Sequence, residues 1–303
     1  MIRIRILTII IFVIAVGGFA GLKLYNFING DYAGPQITMD EESITVSCEA
    51  DEKELLKGIQ AKDAKDGDVT DSLVVETLSN FIEEGRRKIT VAAFDSDNHI
   101  TKASREVIYD DYRSPRFKLE EPLKFPLNTE DIMESISATD VLDGDITGNI
   151  KISSEYTLDS SEAGDYPMEF TVSNSVGDVV KLPVTVQIYD PAEEAGCPEI
   201  ELSDYLVYTK KGKKLNLWDY VEKITLNGRE YERGEDNILR DSAAAEGAEN
   251  NTISEEDVDI KDVVDYNTAG VYEVTYEITT ENGKTGSIRL IVVVNNRGGN
   301  ENG

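Results

Sequence analysis

The sequence predicts an all-β chain of three tandem Greek-key β-sandwiches that follows an N-terminal transmembrane helix. Three observations support this fold class. An uncharged, mostly apolar run opens the chain, a cluster of Asp residues around one Gly occurs twice, and a Pro-led start followed by a long alternating strand occurs three times. Short strands separated by turn signals, with no helical period beyond residue 30, are typical of β-sandwiches.

The N-terminal segment carries Arg3 and Arg5 and continues as an apolar run from Ile6 to Leu22. Its length favours a membrane-spanning helix. Because basic residues remain on the cytoplasmic side, the rest of the chain is predicted to be extracellular. A weak small-x-small pattern at Gly18-Phe19-Ala20 leaves open a cleaved signal peptide and a secreted product.

The composition argues against several classes of partner and scaffold. The 303 residues carry a formal charge of −29, with 59 acidic and 30 basic residues, and such a surface repels nucleic acid and anionic lipid headgroups. Two cysteines, Cys48 and Cys197, are too few for a disulfide scaffold. Cys48 continues an alternating pattern and is predicted to be a small buried residue, and a bridge between the two stays open.

Three modules are recognised by their starts, "GPQITM", "SPRFKL" and "CPEIEL", and by a later Gly that leads a long alternating strand. Alternate residues of that strand should form one buried face. In register across the modules, these residues are Ile89, Met168 and Val274, then Val91, Phe170 and Tyr276, then Ala93, Val172 and Ile278.

The predicted division is a cytoplasmic stub 1–5, a transmembrane anchor or signal segment 6–28, modules 34–111, 112–190 and 196–296, an acidic insertion 235–257 in the third module, and a polar tail 297–303. Modules of this length are expected to be independent domains joined by short links. Three of them end to end would form a rod on the order of 100 Å long.

The pattern A-x-D-x-x-D-G-D-[VI]-T, followed by G-x-Y-x-[VM]-x-[YF]-x-[VI] and a terminal apolar strand, resembles bacterial immunoglobulin-like surface domains. Such domains are repeated in Gram-positive cell-surface proteins and occur in pesticidal crystal proteins. The resemblance covers nearly all of 34–296, although the first module has Arg87 in place of the Tyr and the third lacks Asp-Gly-Asp. It is carried best by Asp140, Asp143, Gly144, Asp145, Thr147, Gly164 and Tyr166. It implies an extracellular sandwich used as spacer, adhesin or binding accessory, without catalysis.

The repeated Asp-Gly-Asp element has three interpretations. A catalytic carboxylate pair is the weakest, because it needs a cleft and these residues lie in a predicted exposed turn. Asp66-Gly67 and Asp143-Gly144 are strong turn dipeptides that need no ligand. Clustered carboxylates also suit calcium, which takes six to eight oxygen ligands. The candidate ligands are Asp63, Asp66, Asp68, Asp140, Asp143, Asp145, Asp110 and Asp111.

The strand after this element is expected to pair with the Gly-led strand, so the turn before one and the turn after the other should share an end. In the first module this brings the element near 95–98, and in the second toward the incoming link 110–111. Calcium there would stiffen the array, in the manner of cadherin-type arrays.

The sequence offers few residues that could form a catalytic site. The single histidine, His99, is in a predicted loop, and the sequence has no phosphate loop, no H-E-x-x-H and no cysteine-rich metal spacing. We therefore expect a non-enzymatic protein without a cofactor other than calcium.

The third module has gained an acidic stretch, 235–257, that is predicted to be either a mobile loop or a contact loop. Trp218, just upstream, is interpreted as a core residue, with a glycan-stacking platform as the alternative. The sequence predicts a membrane-anchored bacterial surface protein that acts as a rod-like stalk or a protein- or glycan-binding module. The alternative is a calcium-stiffened adhesin that binds host or cell-wall glycans through the third module.

Overall fold

The computed structural model describes residues 2–29, 33–153, 155–234, 236–243 and 252–296. The chain divides into two compact units, Met1–Asp110 and Asp111–Gly303. The first holds the N-terminal helix and one β-sandwich, and the second holds two β-sandwiches. The predicted all-β class with one N-terminal apolar helix is confirmed.

Helix α1 extends over Ile2–Asn29 and so begins four residues before Ile6, where the apolar run starts. Its Ile6–Tyr25 stretch of 20 residues is strongly apolar, and none of it is buried. At 1.5 Å per residue, 20 residues span about 30 Å, the thickness of a bilayer hydrocarbon core. By length and composition the helix can therefore cross a membrane, and a signal sequence would meet the same criterion.

The first sandwich is formed by β1 (Gln36–Met39), β2 (Ser43–Val46), β3 (Ile59–Asp63), β4 (Gly67–Asp68), β5 (Val74–Leu78), β6 (Arg86–Phe94) and β7 (Ile100–Tyr109). The sheets have the orders β1-β3-β4 and β2-β7-β6-β5. The entering strand divides between the sheets, because β1 pairs antiparallel with β3 and β2 pairs parallel with β7. A short helix α2 (Glu52–Leu55), capped by the Asp51 carboxylate, precedes β3.

The second sandwich repeats this plan. Its strands are β8 (Arg116–Leu119), β9 (Lys124–Pro126), β10 (Ile136–Asp140), β11 (Gly144–Asp145), β12 (Lys151–Ile152), β13 (Gly164–Ser173) and β14 (Val179–Tyr189). The sheets run β11-β10-β8 and β12-β13-β14-β9, with β9 parallel to β14. A four-residue helix α3 (Pro191–Glu194) leads to the third sandwich.

The third sandwich widens one sheet. Its strands are β15 (Glu199–Leu202), β16 (Leu206–Lys210), β17 (Val221–Leu226), β18 (Arg229–Arg233), β19 (Leu239–Asp241), β20 (Thr252–Ile253), β21 (Asp259–Lys261), β22 (Gly270–Thr279) and β23 (Thr285–Asn295). The orders are β15-β17-β18-β19-β20 and β16-β23-β22-β21. Asn227 and Gly228, with φ of 53° and 75°, form the hairpin turn that the Asn-Gly pair predicts.

The predicted inward face of β6, β13 and β22 is confirmed. All nine register positions are at most 4% exposed. Alternation along one strand therefore located the core of each sandwich, because successive side chains of a strand point to opposite faces.

Two expectations need correction. The second and third sandwiches are not independent, because Leu206 and Ile291 of the third pack in the core of the second. The Tyr208 hydroxyl accepts a hydrogen bond from Phe117 N at 2.8 Å. Cys48 is half-buried in a turn, because β2 already ends at Val46.

The acidic insertion is also structured where it is described. It supplies β19 and β20, and Leu239 and Ile253 from these strands are 0% and 4% exposed in the core of the third sandwich. The interpretation as a mobile loop was wrong for this part, because Leu239 and Ile253 pair across β19 and β20 and are buried. Residues 235 and 244–251 of the insertion lie outside the described residues.

Candidate functional site

The two Asp-Gly-Asp elements fold as tight β-turns. Strand β3 reverses into β4 with Asp63 paired to Gly67, and β10 reverses into β11 with Asp140 paired to Gly144. Both glycines have positive φ, 79° and 71°, a conformation that other residues rarely adopt. The turn interpretation therefore holds for both copies.

The first Asp of each element is buried beneath its own turn. Asp63 is 3% exposed and Asp140 is 7% exposed. Asp63 Oδ1 accepts from the N–H groups of Lys65 at 2.7 Å and Asp66 at 2.9 Å. These bonds, above all that from Asp66, lower the pKa of Asp63 although burial opposes them. The carboxylate is thus part of the turn and stays ionised.

The second Asp joins the element to the turn between the last two strands. Asp66 accepts from Ser96 N and Ser96 Oγ, both at 2.8 Å. Asp143 accepts from Ser175 N at 2.6 Å and from Ser175 Oγ at 2.7 Å. The prediction that the two turns share one end of the sandwich is therefore confirmed, and both oxygens of each carboxylate have donors.

The third Asp caps the segment that follows the turn. Asp68 accepts from Thr70 N at 3.0 Å and Asp145 accepts from Thr147 N at 2.9 Å. Bonds from Thr70, first its hydroxyl and then its N–H, lower the pKa of Asp68. Both Asp side chains face outward, so each acts on the local backbone rather than on the buried carboxylate.

In the second sandwich the buried carboxylate is enclosed by a complete network. Asn174 Nδ2 donates to Asp140 Oδ2 at 3.1 Å and to the Tyr112 hydroxyl at 2.8 Å. Tyr112 in turn donates to Asp178 Oδ2 at 2.8 Å. Burial, followed by the bond to Asp178, raises the pKa of Tyr112, so the hydroxyl keeps its proton. Within the described residues, none of the side-chain atoms of this network is buried without a hydrogen-bond partner.

In the first sandwich, Asp95 occupies the position of Asn174, and its carboxylate has no N–H group to donate to Asp63. Asp95 Oδ1 accepts from Asp97 N at 2.9 Å and His99 N at 2.8 Å, and Oδ2 accepts from His99 Nδ1 at 2.8 Å. Asp63 Oδ2 is buried without a hydrogen-bond partner. The Asp95 charge acts on Asp63 in the direction that raises its pKa. Two buried carboxylates therefore meet where the second copy has a carboxylate and an amide.

The remaining calcium candidates are the two link residues, Asp110 and Asp111. Asp110 ends the first compact unit and Asp111 begins the second, and both are exposed. Tyr112, which the sequence reasoning did not select, is the residue of the link that reaches the second turn. Within the described residues, no group of three or more His, Cys, Asp or Glu side chains converges to hold a metal ion. The calcium set of eight Asp residues stays a prediction, and a site here would rely on two carboxylates with water or backbone oxygens.

Trp218 does not form a binding platform. Its side chain is in the core at 4% exposure, and its indole N–H donates to Asn237 O at 2.9 Å. The Arg233 guanidinium covers the ring at 4.9 Å from the centroid. The core interpretation is confirmed, and the indole helps to attach the insertion to the third sandwich.

Comparison with known proteins yields few relatives. No family model matches the chain. An uncharacterized 81.3 kDa protein of Acholeplasma phage L2 is 24% identical over 166 residues, which cover 55% of this chain and 19% of that protein. The chain thus corresponds to about a fifth of that relative's length.

Several solved structures are similar at low scores. The M60 catalytic domain with two CBM51 domains of Clostridium perfringens ZmpB is 13% identical, covering 87% of this chain and 31% of that one, with a TM-score of 0.22. The lipoprotein BT2262 of Bacteroides thetaiotaomicron is 11% identical, covering 58% and 98%, with a TM-score of 0.23. Drosophila N-cadherin EC1-4 is 15% identical, covering 88% and 76%, with a TM-score of 0.21. At these scores none of the three informs fold or function.

Proposed function

We propose that this chain is a membrane-anchored, non-enzymatic bacterial surface protein whose sandwiches serve as a stalk or as a protein- or glycan-binding module. The observation that carries the proposal is helix α1, whose apolar stretch of 20 residues is wholly unburied. Apolar side chains in such a number are stable only in lipid or against a partner. The resemblance to bacterial immunoglobulin-like surface domains supports the same role.

The orientation follows from Arg3 and Arg5, which precede the apolar run and favour a cytoplasmic N-terminus. Intact cells that express the chain are treated with a membrane-impermeant maleimide, with Cys48→Ser so that Cys197 is the remaining thiol. Labelling of Cys197 without lysis supports an external C-terminal part. Labelling only after lysis contradicts it. The mass of the purified product distinguishes an uncleaved anchor from a signal peptide cleaved after Ala20.

The third sandwich offers the broadest surface for a partner. Its five-stranded sheet presents a row of polar side chains on the outer face, since Lys223 pairs with Glu232, which pairs with Arg240, which pairs with Thr252. Rows of mixed charge suit a protein or a glycan better than a lipid surface. The binding role rests on this face and on the resemblance.

The structure sharpens the test of this surface. Deleting 235–257 would remove Leu239 and Ile253 from the core, so loss of binding would only report unfolding. Replacing 244–251 with a short Gly-Ser turn keeps both strands. Glycan-array and pull-down binding of the full chain, compared with this variant and with Arg240→Glu, locates the contact. A full chain that binds no glycan or protein favours the stalk.

The alternative, a calcium-stiffened adhesin, is favoured by one specific observation. Asp63 Oδ2 is a buried carboxylate oxygen without a donor, beside the charge of Asp95. Melting curves in calcium and in chelator test this role, and an unchanged melting temperature at millimolar calcium contradicts it.

A further inference from the structure

The two copies of the Asp-Gly-Asp turn differ at one buried position, Asp95 in the first and Asn174 in the second. The side chains have the same shape and the same backbone role, because Asn174 Oδ1 accepts from the N–H groups of Val176 and Asp178, as Asp95 Oδ1 does from its own turn. The difference is the second atom, an N–H donor in Asn174 and an anionic oxygen in Asp95. The second sandwich therefore serves as an internal reference for the first.

The second sandwich shows how close the side chains at these two positions come. Asn174 Nδ2 lies 3.1 Å from Asp140 Oδ2, and the Asp143–Ser175 bonds that hold those turns together have counterparts in Asp66–Ser96. In the first sandwich the oxygen that corresponds to Asp140 Oδ2 is Asp63 Oδ2, which is buried and has no donor. A buried carboxylate oxygen beside a second carboxylate is destabilised by the like charge, and a cation between the two would remove that cost.

The positive side chains of this turn are already engaged. Lys65 Nζ forms an ion pair with Asp97 at 2.6 Å, with its head in solvent. His99 Nδ1 donates to Asp95 Oδ2, which leaves further lone pairs on that oxygen. Asp66 and Asp68 accept hydrogen bonds from Ser96 and Thr70. The pair that remains able to accept a charge is Asp63 with Asp95.

We propose that the first sandwich binds one Ca²⁺ ion between Asp63 and Asp95, and that the second sandwich binds none because the Asn174 amide N–H already bonds the buried Asp140 carboxylate. The site supplies hard carboxylate oxygens and has no thiol or free imidazole, which suits Ca²⁺. Irregular turns suit Ca²⁺ better than Mg²⁺, which demands near-ideal octahedral geometry. With two side-chain carboxylates, the dissociation constant should be about 10⁻⁴ to 10⁻³ M, as in extracellular calcium modules.

The position of the site suggests its use. A Cβ atom on Gly34 would lie 2.7 Å from Thr101 Oγ1 and 3.4 Å from His99 Cβ, so the chain enters the sandwich beside the 95–99 turn. Gly34 follows the end of α1 by five residues, a separation that extended chain limits to about 17 Å. The ion would therefore tie two turns together at the end of the sandwich where the apolar helix connects. This stiffening role rests on the proposed function, whereas ion binding itself does not.

The test is calcium titration of the full chain in detergent micelles by isothermal calorimetry, up to about 10 mM CaCl₂, well above the about 1 mM constant of weak extracellular sites. Asp95→Asn should weaken binding about tenfold or more, because ligand charge sets affinity. Asp71→Asn removes the same charge from an exposed position of the same sandwich and should bind like the wild type. Asn174→Asp should add a second equivalent of bound ion.

Binding of one ion that is lost in Asp95→Asn and kept in Asp71→Asn supports the site. No binding by the wild type, equal binding by wild type and Asp95→Asn, or no added binding in a folded Asn174→Asp chain would each overturn it. Asp95→Asn is expected to fold, because the second sandwich already carries Asn at this position. Failure of calcium binding leaves Cys197 labelling in intact cells unchanged, so it is distinguishable from failure of the surface role.

Discussion

Replacing Asp95 with Asn should stabilise the first sandwich when calcium is absent, which is an unusual expectation for a buried residue. The substitution places an N–H donor against Asp63 Oδ2, which has no partner in the native chain. It reproduces the arrangement in which Asn174 donates to Asp140 Oδ2 at 3.1 Å. The perturbation thus converts one copy of the turn into the other.

The magnitude follows from three contributions. An unsatisfied buried acceptor costs about 1–3 kcal/mol, and its removal is the main gain. The two backbone N–H groups that donate to Asp95 Oδ1 would then bond a neutral acceptor. This offsets part of the gain, because charge-assisted hydrogen bonds are roughly twice as strong as neutral ones. His99 can turn to its other tautomer and accept from the new amide. We expect a net gain of about 1 kcal/mol in the free energy of unfolding, which raises the melting temperature of a domain of this size by about 4–8 °C.

Differential scanning calorimetry of the full chain with excess chelator measures this shift. Calorimetry is required because the single tryptophan, Trp218, lies in the third sandwich and its fluorescence does not report on the first. The reciprocal change, Asn174→Asp, should lower the stability of the second unit by about 1–3 kcal/mol, since it leaves Asp140 Oδ2 without its donor. A clear loss of stability in Asp95→Asn would refute the reasoning, because it would mean that Asp63 Oδ2 already has a donor.

The remaining predictions concern the second and third sandwiches, and each uses the same calorimetric readout. Gly286→Ala should lower the free energy of unfolding by about 3 kcal/mol or more, because the added Cβ would lie 1.8 Å from Pro198 O. The control Gly148→Ala, with nothing within 4 Å of its Cβ, should be near neutral. Equal effects of the two substitutions would contradict this packing. Tyr112→Phe should cost about 1–2 kcal/mol by removing the donor to Asp178, and no change in melting temperature would show that water replaces it. Asp159, whose pKa is lowered first by the Ser161 hydroxyl and then by its N–H, should stabilise the unit above pH about 3.8 and lose this effect as pH falls through its lower folded value. Asp159→Asn should flatten that acid limb, and an unchanged pH profile would exclude the contribution.

Much of the fold was readable from the sequence. The register of Ile89, Met168 and Val274 identified the inward face of three strands, because a pleated strand alternates its faces whatever surrounds it. The Asn227-Gly228 turn was equally local, since it depends on the positive φ that these two residues tolerate. Such features depend on residues that are close together in the chain, so the amino-acid sequence predicts them.

The insertion and the calcium candidates were harder because they depend on contacts between distant parts of the chain. Composition indicated a mobile loop at 235–257, but Leu239 and Ile253 are buried by strands that a charge count does not detect. The eight Asp candidates were chosen by residue type. Most of them have backbone or serine donors, and the structure separates Asp63, whose Oδ2 has none, from the others.

The sequence on its own specified the apolar helix, the modular repeat, the inward faces and the Asp-Gly turns, because periodicity, hydropathy and glycine conformation are properties of short segments. Tertiary structure decided which carboxylate lacks a donor, that Tyr112 completes the network of the second turn, and that Leu206 and Ile291 of the third sandwich pack in the core of the second. Hydrogen-bond satisfaction is settled by atoms tens of residues apart. The difference between Asn174 and Asp95 has a consequence because each side chain lies beside a buried carboxylate, that of Asp140 or that of Asp63.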